Sequence, residues 1–88
     1  MKLHNLKIKA IYAEAKLKED KMFEIRKNDR NFEIGDVVNY TVIDDTKLDK
    51  KMVDKRYIIT YITDYEQKDG YVVFGEREVK EQQNEQTN

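Results

Sequence analysis

A chain of 88 residues is long enough for one modest hydrophobic core and too short for two domains. It contains no cysteine, no serine and one histidine, which excludes disulfides, thiol and serine catalysis, and a histidine-cluster metal site within one chain. The formal net charge is −1 although 40% of the residues are charged, so the total charge does not favour a polyanionic partner. No run approaches the roughly 18 apolar residues of a membrane span, and we expect a cytoplasmic protein that does not bind membranes.

The chain begins with a strand pattern followed by a helix pattern. Residues 3–9, LHNLKIK, predict a short first strand. In residues 10–19, Ala10, Ala13 and Leu17 recur at helical spacing among residue types that favour helix. We therefore predict one helix over residues 10–19.

The next segment, MFEIRK at residues 22–27, changes to a period of two and predicts a second strand. Phe23 and Ile25 share one face of this strand and are the natural core residues. Glu24 and Arg26 share the other face, where an exposed ion pair would contribute less than about 1 kcal/mol. We therefore expect Glu24 and Arg26 to point away from the core.

Three further strands and two polar segments complete the chain. Strands are predicted at residues 37–43, 57–62 and 71–79, and the second of these is apolar on both faces, which indicates a central position in a sheet or barrel. Residues 44–55 form a charged connection without a clear period, and we expect a mobile loop there. Residues 80–88 lack an apolar face and are predicted to be a disordered tail.

These elements predict an α+β fold in one domain over residues 1–79. One helix cannot cover both faces of a flat five-stranded sheet. A small curled sheet or barrel that is plugged at one end by the helix buries more apolar surface per residue. We therefore expect a small mixed β-barrel of about five strands, capped by the N-terminal helix.

The K-x-x-E-x-R pattern of Lys21, Glu24 and Arg26 resembles the signature of the ASCH domain, a PUA-like β-barrel. That signature is usually written G-x-K-x-x-E-x-R, and Glu19 stands here at the position of its glycine. The chain also resembles a small stand-alone bacterial and phage-type subgroup, through H-x-L-K-I at residues 4–8, F-E-I-R-K-N-D-R at 23–30, G-D at 35–36 and G-Y-V-x-x-G at 70–75. The resemblance covers about residues 4–75.

The resemblance implies an RNA-binding cleft between the helix and the barrel. In it, Lys21 and Arg26 would meet phosphate or a base edge, while Glu24 would orient Arg26 or accept a hydrogen bond from a base amino group. The nucleic-acid-binding residues that we predict are Lys21, Glu24, Arg26, Lys27, Arg30, His4 and Tyr71. For His4, a second interpretation is a hydrogen-bonded residue that ties the first strand to the barrel.

Tyrosines of the strands and turns could offer stacking surfaces for unpaired bases, but for any single tyrosine we favour half-buried packing within the sheet. The candidates are Tyr40, Tyr57, Tyr61, Tyr65 and Tyr71. Basic residues exceed acidic ones by only two in residues 16–30, which a solvated surface of mixed charge would also explain.

Two other functions stay open. The first is a small hydrolase acting on a modified nucleoside or RNA, since one ASCH branch is an amidohydrolase acting on acetylated cytidine and others are described as ribonucleases. Lys21 and Glu24 would then be catalytic, but Glu24 stands where the amidohydrolases have a threonine nucleophile, so we favour binding over catalysis. The second is a protein-interaction domain without nucleic acid. We expect no cofactor and no metal, and the sequence does not predict the oligomeric state.

Overall fold

The structure, a computed structural model, describes residues 1–80 and consists of five strands and two short helices. In chain order these are β1 (Leu3–Ile8), α1 (Ala10–Leu17), β2 (Phe23–Lys27), β3 (Val37–Val42), α2 (Thr46–Met52), β4 (Tyr57–Thr63) and β5 (Tyr71–Glu78). The predicted order of strands and the predicted first helix are confirmed. Residues 81–88 lie outside the described part of the chain, so the domain bounds and the disordered tail stay predictions.

The five strands form one mixed sheet in the order β1-β3-β4-β5-β2, which curls into a half-barrel. β1 runs parallel to β3, and the other neighbouring pairs are antiparallel. The α+β fold class is therefore confirmed. β4 lies in the middle of the sheet, as its apolar residues on both faces predicted. β1 and β2 are the two edges, and the groove described below lies between them.

The core lies on the concave side of the half-barrel and follows the strand alternation. Every second residue of β1, β3 and β5 is buried, as expected when one face of a strand packs inward. The helices add Ala13 and Met52, and the aromatic members of the core are Phe32, Tyr40, Tyr57 and Phe74. No helix among residues 1–80 combines the length and the apolar character needed to cross a membrane.

The prediction for β2 is right in period and wrong in face. Phe23 and Ile25 are 43% and 57% exposed, whereas Glu24 is only 4% exposed and points inward. The inward carboxylate is tolerated because cationic side chains surround it, as described below. Glu24 and Arg26 therefore belong to a partly buried network and do not form the solvated ion pair that we expected, whereas Lys27 at the end of the strand is exposed.

The charged connection at residues 44–55 is also not the irregular loop that we expected. It contains α2, whose N-terminus is capped by the Asp45 side chain, which accepts a hydrogen bond from the Leu48 amide at 3.1 Å. At the other end of the helix Met52 is buried in the core. Leu48, one turn earlier, also packs against the core. Two apolar residues and a cap stabilise this helix, and its seven residues are too few to show a repeated period in the sequence.

The turn after α1 keeps the geometry that a glycine would favour, although Glu19 occupies the position. Glu19 has φ of 63°. Its amide donates to the Lys16 carbonyl at 2.9 Å, and the Asp20 amide donates to the Ala15 carbonyl at 2.9 Å. This pair of bonds is a Schellman motif, and it sets the direction in which the chain leaves the helix toward Lys21 and β2.

Candidate functional site: a cationic groove between the edge strands

A groove of about 620 Å³ opens between the two edge strands of the half-barrel. Its lining residues come from β1, α1, β2 and the segments that adjoin these elements and β3: Lys7, Ile8, Lys9, Tyr12, Lys21, Phe23, Glu24, Ile25, Arg26 and Ile43. Beside it lies a smaller depression of about 390 Å³, here called the side hollow, which shares Lys7 and Arg26 with the groove. The Arg26 guanidinium crosses between the edge strands, because its Nη2 donates to the Lys7 carbonyl at 2.9 Å.

The carboxylate of Glu24 forms the centre of the groove floor. Its Oε2 lies 2.6 Å from Nζ of Lys21 and 2.9 Å from Nζ of Lys16. Its Oε1 accepts from Nε of Arg26 at 3.1 Å and lies 3.1 Å from Nη2 of the same residue. Burial raises the pKa of Glu24, but the positive charge of Lys16 and the hydrogen bonds from Lys21 and Lys16 outweigh it, so that the pKa lies below its ordinary value. Glu24 is therefore an ionised carboxylate that holds Lys21 and Arg26 in place.

A second buried carboxylate lies beneath the floor and is joined to Glu24 by Lys16. The Lys16 ammonium forms an ion pair with Glu76, and the Tyr40 hydroxyl donates to the other oxygen of Glu76 at 2.6 Å. Nζ of Lys16 also lies 4.8 Å from the ring centroid of Tyr40. Burial raises the pKa of Glu76, and the Lys16 charge offsets this only in part. Burial and the Glu76 charge likewise raise the pKa of the Tyr40 hydroxyl.

The sequence analysis missed Lys16 and Glu76, although both leave a signal in the pattern. Lys16 falls within the apolar stripe of α1, between Ala13 and Leu17. Glu76 continues the inward alternation of Val72 and Phe74 along β5. A charged residue at an inward position of an otherwise apolar face indicates a buried ion pair.

The walls of the groove are apolar and open to solvent. Phe23 and Ile25 of β2 form part of them, and Tyr12 of α1 and Ile43 at the end of β3 are also exposed. The Lys21 ammonium lies 5.5 Å from the ring centroid of Tyr12 and 5.2 Å from that of Phe23. Tyr12 was not among the tyrosines that we predicted for stacking, because it lies on the helix.

Positive charge is concentrated around the groove and the side hollow. Six cationic and two acidic side chains line them, a surplus of four positive charges: Lys7, Lys9, Lys21, Arg26, Lys27 and Arg30 against Glu24 and Asp29. The whole chain carries −1, so the rest of the protein is net negative. The fold therefore brings Lys7 of β1 and Lys9, which follows it, to residues 16–30, where basic residues exceed acidic ones by only two.

Residues 3–75 match the model of a family described as a domain of unknown function, DUF3850. The chain belongs to the DUF3850 family. The matched range includes every residue that lines the groove and the side hollow. A comparison with curated proteins gave no match.

Of the predicted site residues, the DUF3850 domain brings Lys21, Glu24 and Arg26 together in the groove and places Lys27 and Arg30 in the side hollow. His4 lies elsewhere, buried against Asp36, with its Nε2 2.8 Å from Oδ2 of that residue. Burial raises the pKa of Asp36, but hydrogen bonds from His4 and from the Lys2 and Glu33 amides bring it below its ordinary value. The contact corresponds to the alternative in which His4 ties the first strand to the barrel.

The predicted tyrosines are dispersed over the domain. Tyr40 and Tyr57 lie in the core, which agrees with the favoured interpretation of packing within the sheet and excludes them as exposed stacking surfaces. Tyr61 and Tyr65 are exposed but line neither the groove nor the side hollow. Tyr71 lines a separate hollow beside the turn that precedes β5. Within residues 1–80, no group of three or more histidine or acidic side chains is arranged to hold a metal ion.

Proposed function

We propose that this DUF3850 domain is an ASCH-like, PUA-like module that binds single-stranded RNA along the groove and the side hollow. The observation that carries the proposal is the surplus of four positive charges lining these two depressions in a chain of net charge −1. Affinity for nucleic acids depends mainly on cations that neutralise phosphates. The low total charge was the main support for a protein-interaction domain without nucleic acid. Because the positive charge is concentrated at one place, that support is weaker.

The apolar walls favour an unpaired strand over a duplex. Sequence-tolerant binding of single strands combines a cationic track for the backbone with aromatic surfaces on which bases stack. Here Tyr12 and Phe23 are half-exposed beside the Lys21 ammonium, and Arg26 lies where the groove meets the side hollow. A base on the walls would leave its phosphates within reach of Arg26 and, farther along, of Lys27 and Arg30.

The geometry gives less support to the hydrolase alternative. One oxygen of Glu24 contacts the ammonium groups of Lys16 and Lys21, and the other contacts Nε and Nη2 of Arg26. The pKa of Glu24 lies below its ordinary value. A carboxylate that is held ionised in this way is a weak general base. Nζ of Lys21 donates to Glu24 and to the Phe23 carbonyl, and a side chain held by these contacts suits binding better than nucleophilic attack.

The test is an NMR titration of the ¹⁵N-labelled protein with single-stranded RNA hexamers at low and moderate salt. We expect amide shifts that cluster on the groove, and a slope of about −2 to −3 in log K against log salt for three or four neutralised phosphates. Arg26→Gln should weaken binding about tenfold or more, since it removes a charged hydrogen-bond donor. Lys50→Gln removes the same charge from an exposed position on α2 and is the matched control. Absence of groove shifts at low salt would refute the proposal.

A further inference from the structure

The groove floor contains an acceptor that is already saturated. An ionised carboxylate offers about four lone-pair sites. Glu24 makes four contacts with cationic groups: Oε2 with Lys16 and Lys21, and Oε1 with Nε and Nη2 of Arg26. It therefore has no site left to accept a hydrogen bond from a base amino group, which was one role that the family resemblance implied for it.

Donors, by contrast, remain available on both cations. The Lys21 ammonium has three N–H groups, and the Phe23 carbonyl and the Glu24 carboxylate accept from it at 2.9 Å and 2.6 Å. The Arg26 guanidinium has five N–H groups, and its Nε and Nη2 are engaged with Glu24 and the Lys7 carbonyl. Within residues 1–80, Nη1 of Arg26 has no acceptor. The charged groups of the floor thus present donors only.

The two cations are also close enough to serve one ligand group. Lys21 contacts one oxygen of Glu24 and Arg26 contacts the other. Because the same carboxylate fixes both, their remaining N–H groups are pre-organised, and less conformational entropy is lost when a ligand binds. A phosphate has several acceptor oxygens and a negative charge, which suit such a pair. A ribose hydroxyl is only a neutral acceptor, and a base amino group is a donor.

We infer that the floor of the groove is a phosphate-binding site beside a surface for one unpaired base, so that the domain selects nucleotides over the corresponding nucleosides. The inference rests on the proposed function and names the ligand group that the groove takes. The phosphate lies against Lys21 and Nη1 of Arg26, and the base covers the exposed rings of Tyr12 and Phe23. A volume of about 620 Å³ is within the usual range for a site that holds one small organic ligand.

The experiment compares the affinities of cytidine, cytidine 5′-monophosphate, adenosine, adenosine 5′-monophosphate and inorganic phosphate, measured by NMR shifts of groove amides at one ionic strength. We expect each nucleotide to bind about ten- to a hundredfold more tightly than its nucleoside, as for one or two charge-assisted hydrogen bonds. Inorganic phosphate should bind more weakly than either nucleotide. Arg26→Gln should reduce the preference for the nucleotide, and Lys50→Gln should leave it unchanged. If Arg26→Gln does not fold, Lys21→Gln replaces it.

Each outcome decides between this inference and the proposal on which it rests. Equal affinity for nucleoside and nucleotide would overturn the phosphate assignment, even if RNA hexamers bind. Equal affinity for phosphate and nucleotide would also overturn it, because the site would then bind an anion without a base. Preference for nucleotides without any binding of RNA hexamers would sustain the inference and refute the RNA-binding proposal. No binding of any probe would refute both.

Discussion

Replacement of Lys16 by methionine gives the sharpest test of the buried network. The side chain is almost fully buried, with 1% exposure, and its ammonium pairs with both Glu24 and Glu76. Methionine has a similar length and an apolar character suited to α1, so the variant removes the charge while losing little packing. It leaves two buried carboxylates, of which Glu76 keeps only the hydroxyl of Tyr40 as a donor within residues 1–80.

The magnitude follows from the distances. At an effective dielectric constant of about 20, two unit charges at the 2.9 Å between Lys16 and Glu24 attract each other by about 6 kcal/mol. Desolvation of the ammonium costs several kcal/mol in return, and loss of one partner of a buried ion pair typically costs about 3–5 kcal/mol net. A domain of this size has a free energy of unfolding of about 4–13 kcal/mol, so the loss is a large part of it.

The assay is urea unfolding followed by far-UV circular dichroism at pH 7 and again near pH 5. Lys18→Met is the matched control, because it makes the same substitution at an exposed position just after α1. Without Lys16, the raised pKa of Glu76 rises further, so that the folded variant binds a proton more readily than the unfolded chain. Protonation of Glu76 stabilises the folded variant at low pH, and this stabilisation is lost as the pH rises. The difference in free energy of unfolding between wild type and variant should therefore be smaller at pH 5 than at pH 7.

A second substitution separates the electrostatic explanation from a simple packing defect. Glu76→Gln in the Lys16→Met background removes the unpaired charge and keeps an acceptor for the Tyr40 hydroxyl, so it should restore part of the lost stability. If Lys16→Met costs no more than Lys18→Met, or if its deficit is independent of pH, the network does not hold the groove floor as we describe.

Two further predictions concern the turn after α1 and the residue that precedes β3. Glu19→Gly should stabilise the domain by about 0.5–1 kcal/mol in thermal or urea unfolding, because glycine adopts the φ of 63° found there without a steric penalty. The control, Glu14→Gly in the exposed face of α1, should destabilise the domain by about 1 kcal/mol. A destabilising Glu19→Gly would contradict the left-handed geometry. Asp36→Asn should lower stability by about 1–3 kcal/mol at pH 7. Because the pKa of Asp36 is below its ordinary value of 3.8 in the folded state, the difference between variant and wild type should shrink as the pH falls below about 4. A difference that is the same at pH 2 as at pH 7 would contradict this assignment.

Local patterns were sufficient to predict most of the architecture. The change from helical spacing in residues 10–19 to period two in residues 22–27 separated α1 from β2 correctly. The apolar character of β4 on both faces indicated its central position, which the strand order confirms. These predictions succeeded because strand alternation and helix propensity act over a few residues, and the sequence shows them directly.

Predictions that depended on distant partners were incomplete. Nothing near Glu24 in the sequence shows that Lys16 lies against it, and Glu76 follows it by more than fifty residues. The groove likewise depends on the approach of β1 to β2 across the open side of the half-barrel, where Lys7 meets Arg26. The cations of the groove and the side hollow come from two separate segments, residues 7–9 and 21–30, and their convergence could not be predicted from the charge of either one.

The inverted face of β2 connects the stability of the fold with its proposed function. A strand selected for stability alone would bury Phe23 and Ile25 and expose Glu24, since apolar burial is the main driving force of folding. Here the apolar residues are left in solvent, and a carboxylate is buried with the help of Lys16, a second buried charge. Natural proteins break local rules in this way mainly at functional sites. Both features belong to the groove, because the exposed apolar residues form its walls and the buried carboxylate fixes the cations of its floor.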